Sequence, residues 1–311
     1  MAHSNPFGAR STADKVLAGV DLTGKRFVVT GCNSGIGFET MSALAANGSQ
    51  VIGLARSFAA AQAACTRVAS SCLPVACDLS DLASVAAAAE AIRALQVPLD
   101  AIVANAGIAN LPALQTRYGV EMQFLVNHIG HFALVNQLSD LVRDGSGRIV
   151  IVSSDASIKQ APAEGIMFDN LDGHRSYQPF TFYGQSKLAA AIYAKELSRR
   201  LKSRGIAVNS VHPGATRGTR LNRHLGLPWA LILSVAKLFM RSAQRGAATQ
   251  ALLAASPQVT GITGEYWADC KIAQGHPLLD DVGVAKLLWD VSERIVAAPP
   301  KQDSKPLQAA A

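Results

Sequence analysis

Residues 26–37 read Arg26-Phe27-Val28-Val29-Thr30-Gly31-Cys32-Asn33-Ser34-Gly35-Ile36-Gly37. The apolar run predicts a short buried strand over 26–30. Three glycines then punctuate a turn in the pattern G-x-x-x-G-x-G. A helical pattern follows through Ala46 and stops at Asn47-Gly48. Strand, glycine-rich turn and helix in this order form a cradle for a dinucleotide pyrophosphate. Glycines let the backbone come close, and the helix N-terminus offers free N–H groups and the positive end of its dipole. The residues expected to line the cradle are Gly31, Asn33, Ser34, Gly35, Ile36 and Gly37.

Working outward, the alternation of strand and helix repeats along the chain. Further strands are expected at 50–55, 74–77, 99–104, 147–152, 206–211 and 262–268. Helical patterns stand between them, the longest over 115–143 with Asn127 inside it. No internal repeat or central linker interrupts the pattern. The economical reading is one α/β domain, a Rossmann-type doubly wound parallel sheet of about seven strands with helices on both faces. The domain spans 21–297, preceded by a loose arm over 1–20 and followed by a flexible tail over 298–311. Right-handed crossovers place the strand-end motifs on one edge of the sheet. Those motifs are Asp78-Leu79, Asn105-Ala106-Gly107, Ser153-Ser154 and His212-Pro213-Gly214. The connection over 155–180 is long enough to border a ligand.

A second decisive stretch is Tyr183-Gly184-Gln185-Ser186-Lys187. It opens a helix whose apolar face carries Leu188, Ile192, Leu197 and Leu201, with Gly205 at its end. Positions four apart share a face, so Tyr183 and Lys187 are neighbours. A phenol alone titrates near pH ~10. An adjacent ammonium favours the phenolate, which suits the pair to exchange a proton with an alcohol or carbonyl oxygen. A solvated surface pair is the plain alternative.

At the end of the second strand, an NAD site places an acid that holds the ribose 2′-hydroxyl. Here Ala55 is followed by Arg56, a cation suited to a 2′-phosphate, so NADP(H) is preferred over NAD(H). Asp78 either receives an adenine amino group or serves the turn. His128 and His131 stand one turn apart without a third ligand, so packing is expected of them rather than metal binding.

The net charge of +7 is spread without a basic run, and no nucleic-acid partner is expected. Five cysteines, Cys32, Cys65, Cys72, Cys77 and Cys270, form an odd set without metal-ligand spacing. Reduced thiols in a cytoplasmic chain are the expectation. Met1 to Pro6 lack the charged start and apolar run of a signal peptide.

Taken together, these motifs resemble the short-chain dehydrogenase/reductase family. The matching pieces are T-G-x-x-x-G-I-G at 30–37, Asp78-Leu79, Asn105-Ala106-Gly107, Asn127, Ser154, Y-x-x-S-K at 183–187 and Pro213-Gly214. They fall in family order over about residues 22–295. Three segments look most like the retinol-dehydrogenase and WW-domain-oxidoreductase branch: Val126 to Phe132, Phe168 to Leu171, and Phe182 to Leu188. No WW module is present.

The resemblance implies Tyr183 as general acid or base and Ser154 as the group that holds the substrate oxygen. Ser154 is chosen over Ser153 by family register, with one of the two free to cap the next turn. The resemblance further implies that Lys187 lowers the Tyr183 pKa and holds the nicotinamide ribose, and that Asn127 orders a water. Tyr183, Lys187, Leu79, the Asn105-Ala106-Gly107 loop, Pro213 and Gly214 are then cofactor contacts. At the fourth residue after Pro213-Gly214 the family often has threonine. Here Gly218 stands between Thr216 and Thr219, and either threonine can substitute.

Residues 215–241 run through Arg217, Arg220 and Arg223 into the apolar stretch Leu225 to Leu233. A lid over a hydrophobic alcohol or carbonyl, an ordinary buried helix and a peripheral membrane-contact helix all fit it. The leading expectation is an oxidoreductase of hydrophobic alcohols and carbonyls. A carbon–carbon double-bond reductase and a non-catalytic NADP-binding sensor or scaffold are the alternatives. Pairing through 115–143 and 183–204, as in many family members, makes a homodimer the expected assembly.

Overall fold

Successive residues of a strand face opposite ways, and Val28 and Val29 enter two different apolar clusters. Both faces of the sheet are therefore covered, which is why its strands read as nearly continuous apolar runs. The computed structural model describes residues 5–68, 72–216 and 240–298.

In chain order the strands are β1 (Arg26–Thr30), β2 (Gln50–Ala55), β3 (Cys72–Ala76), β4 (Ala101–Ala104), β5 (Thr116–Arg117), β6 (Val120–Glu121), β7 (Arg148–Val152), β8 (Ala207–His212), β9 (Tyr266–Ala268) and β10 (Lys271–Ile272). β5 and β6 form a separate hairpin. The other eight make one sheet in the order β10-β9-β8-β7-β4-β1-β2-β3. Its pairs are parallel except β9 with β10. The order reverses beside β1, where a doubly wound sheet opens a crevice at its carboxyl edge.

On one face lie α1 (Ala13–Leu17), α2 (Gly35–Ala46) and α3 (Phe58–Cys65). The other carries α4 (Leu82–Arg93), followed by α5 (Met122–Phe124) and α6 (Gly130–Leu138), which a π turn (Leu125–Ile129) joins. The short α7 (Ala156–Lys159) packs beside α8 (Pro179–Arg200). α9 (Ala243–Ala255) returns to the first face, and α10 (Val282–Ala297) packs outside α8.

Several expectations need correction. The loose arm is docked over its described part. Thr12 caps α1 by accepting from Lys15 N at 3.3 Å, and Ala13, Val16 and Leu17 are buried beside α2 and α9. The long helix over 115–143 begins instead with the β5–β6 hairpin, turned by Tyr118 and Gly119 in left-handed conformations.

Cys65 and Cys72 form a disulfide, against five reduced thiols. They join the end of α3 to the start of β3, with Cα atoms 5.2 Å apart, within ordinary bridging distance. Cys32, Cys77 and Cys270 are free and buried. A short connection brings two neighbouring cysteines together whatever the parity of the rest.

The expected lid at 215–241 lies outside the described residues except at its ends, as do Thr219 and all but the first residue of the 298–311 tail. Among the described residues no helix is long and apolar enough to cross a membrane.

α10 is held by Ala285, Leu288 and Trp289, all buried. The Trp289 ring meets Phe132 edge-on at 5.0 Å between centroids and lies 5.8 Å from Tyr193. The Arg200 guanidinium stands 3.6 Å from its centre. Residues 183–194 of α8, the first part of the 183–204 stretch expected to meet a second copy, are all buried within the chain, and α10 takes part in covering them. Trp289→Ala is therefore expected to lower stability by about 3–5 kcal/mol in chemical denaturation, whereas Trp289→Phe loses less. A change below about 1 kcal/mol would show that α10 is not integral to the fold.

Candidate active site

Thr30 closes β1 at the carboxyl edge of the sheet. Its hydroxyl oxygen accepts from Asn105 N and Ala106 N, both at 2.9 Å. His131 Nε2 lies 2.9 Å away and can take the threonine's own proton. His131 Nδ1 then donates to Asn127 O at 3.3 Å. Burial pushes the His131 pKa down to about 4, so the ring is neutral and structural. His128 is likewise buried, with Nε2 2.8 Å from Ser292 Oγ. No metal-binding cluster of His, Cys, Asp and Glu exists among the described residues.

The Asn105-Ala106-Gly107 loop is fastened from three elements. Asn105 Nδ2 donates to Thr30 O at 2.9 Å, and its Oδ1 accepts from Gln250 Nε2 of α9 at 3.3 Å. Gln250 also donates to Thr40 Oγ1 of α2. Gly37 completes the junction: a Cβ there would strike Gly31 O and Asn105 Nδ2. Ser34 precedes α2 without a capping side-chain bond, and the first turn carries no acid. The N–H groups at the start of α2, beside Asn33 and Ile36, remain for an anion. These residues fit a dinucleotide pyrophosphate.

Arg56 is exposed beyond β2. Asp78 builds a turn, its Oδ1 accepting from Ser80 N at 3.0 Å and Ser80 Oγ at 2.7 Å. Leu79 is buried in the cluster below it. Gly214 sits under the Arg241 guanidinium, which pairs with Asp269, and Thr216 Oγ1 donates to Gly214 O at 2.9 Å.

Tyr183 and Lys187 share the inward face of α8. The Tyr183 ring packs between Ala109 and Ala156. Lys187 Nζ donates to Val152 O at 2.9 Å. A Cβ on Gly107 would lie 3.3 Å from that ammonium and 3.0 Å from Asn127 Oδ1. Burial pushes Lys187 down to about 8. It pushes the Tyr183 phenol up to about 12, opposed by a hydrogen bond with Ser154. Burial therefore outweighs the depression of the Tyr183 pKa expected from Lys187, whose ammonium is turned to the Val152 carbonyl.

The two serines separate cleanly. Ser153 Oγ donates to Lys187 O at 2.7 Å and is buried. Ser154 faces Tyr183, its Oγ also accepting from Ala156 N at 3.2 Å. Asn127 stands in the π turn with its carboxamide engaged throughout. Oδ1 accepts from Ile108 N, while Nδ2 donates to Ile108 O and Ser186 Oγ, all at 2.9 Å. Its side chain thus locks the site's frame.

The 155–180 connection divides. α7 lies at the site. Phe168, Asp169 and Leu171 line a cavity of about 390 Å³ shared with Tyr118, Val291 and Ile295, and none of these residues is a candidate catalytic residue. Thr30, His131, Ser186 and Gln250 support the site without having been singled out for it. For Thr30, His131 and Ser186 the only signal was position, at a strand end or inside a quoted segment, and Gln250, inside α9, carried none.

The family model for short chain dehydrogenases matches residues 25–168. Human retinol dehydrogenase 14 is 38% identical over 297 residues, covering 88% of this chain and 87% of its own. The WW domain-containing oxidoreductase of Pongo abelii is 37% identical over 301 residues, covering 93% and 72%. The chain belongs to the short-chain dehydrogenase/reductase family. This dehydrogenase/reductase falls in the retinol-dehydrogenase-like branch and is an oxidoreductase of a family that binds a nicotinamide cofactor. Among solved structures it is similar to an uncharacterised protein from Mycobacterium paratuberculosis, at TM-score 0.73 and 30% identity, covering 92% of this chain and 97% of that one. A short chain dehydrogenase from Burkholderia cenocepacia in complex with NADP matches at TM-score 0.64 and 26% identity, covering 80% and 97%.

Gly37→Ala tests the cradle. The added methyl costs about 1–3 kcal/mol of overpacking. Binding of NADPH, followed by fluorescence titration, is expected to weaken about tenfold or more. Gly8→Ala, where a Cβ meets nothing within 4 Å, is the control and leaves binding unchanged.

Proposed function

We propose that the protein interconverts a hydrophobic alcohol and its aldehyde or ketone with NADP(H). One observation carries the reading. The Tyr183 phenol is buried beside the Ser154 hydroxyl, with Lys187 one turn along α8 and its ammonium next to Gly107. When bound, the nicotinamide ring supplies or receives the hydride.

The chain's own residues manage the proton and the oxygen. With its pKa pushed up to about 12, the Tyr183 phenol is protonated at neutral pH and ready to protonate a carbonyl oxygen. Ser154 Oγ donates to that oxygen as negative charge develops on it. In the reverse direction Tyr183 must release its proton, and the Lys187 ammonium favours the phenolate. Lys187 also offers its remaining N–H groups to the nicotinamide ribose.

The preference for NADP(H) rests on Arg56, exposed where a 2′-phosphate would lie, and on the NADP held by a solved relative. A hydrophobic substrate is supported by the retinol dehydrogenase relative. Phe180, one turn before Tyr183, and Ile158 on α7 add apolar surface, 40% and 43% exposed.

Turnover is read at the reduced-nicotinamide absorbance band with a panel of retinoid, steroidal, aromatic and aliphatic carbonyls, and with the matching alcohols in reverse. Tyr183→Phe is expected to bind NADPH normally and to lose turnover by about a hundredfold or more. Retained activity would remove Tyr183 from its role. Arg56→Asp is expected to lower kcat/KM for NADPH by about tenfold or more and to favour NADH. An unchanged NADPH preference would overturn the cofactor argument alone.

A further inference from the structure

His212 ends β8 immediately before Pro213-Gly214, and no part of the proposed reaction uses it. Its ring points across the sheet edge to the neighbouring strand's loop. The backbone N–H of Asp155, the residue after Ser154, donates to His212 Nδ1 at 3.0 Å. A backbone amide can only donate, so Nδ1 carries no proton and the proton of the neutral ring sits on Nε2. The imidazole thus joins the loop bearing Ser154 to the loop bearing Pro213 and Gly214.

The surroundings make this bond sensitive to protonation. Asp155 Oδ1 accepts from Ser154 Oγ at 3.3 Å and also lies 3.9 Å from His212 Nδ1. Asp155 and Lys159 face the ring from the α7 side, and Arg241 and Asp269 from the other. Burial and the two cations hold the ring neutral, against the two carboxylates. A proton on Nδ1 would abolish the bond from the Asp155 amide. It would also turn the imidazolium to the carboxylate oxygen that Ser154 uses. Both changes act on the Ser154 hydroxyl while leaving Tyr183 and Lys187 in place.

We infer that His212 is a positioning residue for Ser154, its unprotonated Nδ1 holding the Ser154–Asp155 turn against the Pro213-Gly214 loop. The inference rests on the carbonyl-reducing activity proposed above. In that direction Tyr183 and Lys187 stay protonated throughout the acid range, so neither produces an acid limb, and a non-titrating variant of His212 separates it from other groups such as buried Glu121, pushed up to about 7.

The test compares wild type with His212→Asn and His212→Leu in carbonyl reduction at saturating NADPH between about pH 4.5 and 8. The Asn carboxamide oxygen can replace Nδ1 as acceptor and does not titrate. Wild-type kcat is expected to fall on the acid side of the ordinary imidazole range, the direction in which burial moves His212. His212→Asn should keep the neutral rate within about threefold and lose the acid limb. His212→Leu should lower kcat about tenfold across the range. NADPH titration shows whether each variant is folded. An acid limb unchanged in His212→Asn, or a wild-type rate in His212→Leu, overturns the inference. A second readout needs no turnover. In a long-range proton–nitrogen spectrum of the free protein, the histidine signal lost in His212→Asn should show a bare Nδ1 and a protonated Nε2. The opposite tautomer overturns the inference. Absence of any wild-type turnover overturns the proposed function and this inference with it.

Discussion

The ammonium of Lys187 is taken out of water at the carboxyl edge of a hydrophobic sheet, only 3% of the residue remaining exposed. Isolating a charge in this way costs several kcal/mol, even after relaxation. What meets that cost is a clasp between strand and helix. Lys187 Nζ donates to Val152 O, and Ser153 Oγ donates to Lys187 O. β7 and α8 are therefore tied in both directions, through the last residue of the strand and the one that follows it. Tyr183, one turn earlier on α8, and Ser154, one residue later in the chain, inherit their positions from this clasp. The low pKa of the lysine and the high pKa of the phenol have the same origin, a shortage of water.

The rest of the frame is built from neutral side chains with their bonding capacity spent. Asn127 joins the loop following β4 to α8, through Ile108 and Ser186. Thr30 joins β1 to the N-A-G loop and to His131. Gln250 reaches from α9 to both Thr40 and Asn105. A buried network of this sort is stiff because releasing one member leaves its partners unsatisfied. The π turn around Asn127 belongs to it: the irregular stretch seats the carboxamide between two elements. Such turns are frequent at functional sites.

Much of this was legible before any coordinates. Phe27-Val28-Val29, Ile102-Val103 and Ile149-Val150-Ile151 are apolar on both faces, and only strands between two helical layers tolerate that pattern. The motif residues end strands of one parallel sheet, so the crossover rule alone gathers them on one edge. Less legible were features set by contacts between distant segments. α1 is only five residues long, and its place is decided by α2 and α9. β5, β6 and β10 have two residues each, too few for a period to show. The disulfide joins cysteines seven residues apart, a pairing that the odd total of cysteines concealed. The choice between Ser153 and Ser154 depended on which hydroxyl the helix would claim, a question of register between α8 and β7. His212 stood in plain view before Pro213-Gly214, but its partner is a backbone amide, which leaves no mark in a sequence.

The base of the region after β8 is closed. Thr216 and Arg241 form a parallel bridge, with Arg241 N donating to Ala215 O at 2.9 Å. Arg241 is fastened again by Asp269, which directly follows β9. The chain thus leaves the sheet edge and returns to it through one narrow gate, without drawing on the sheet's own hydrogen bonds. Strain arising beyond Thr216 or before Arg241 is therefore stopped at this clamp, and the catalytic edge is mechanically insulated from it.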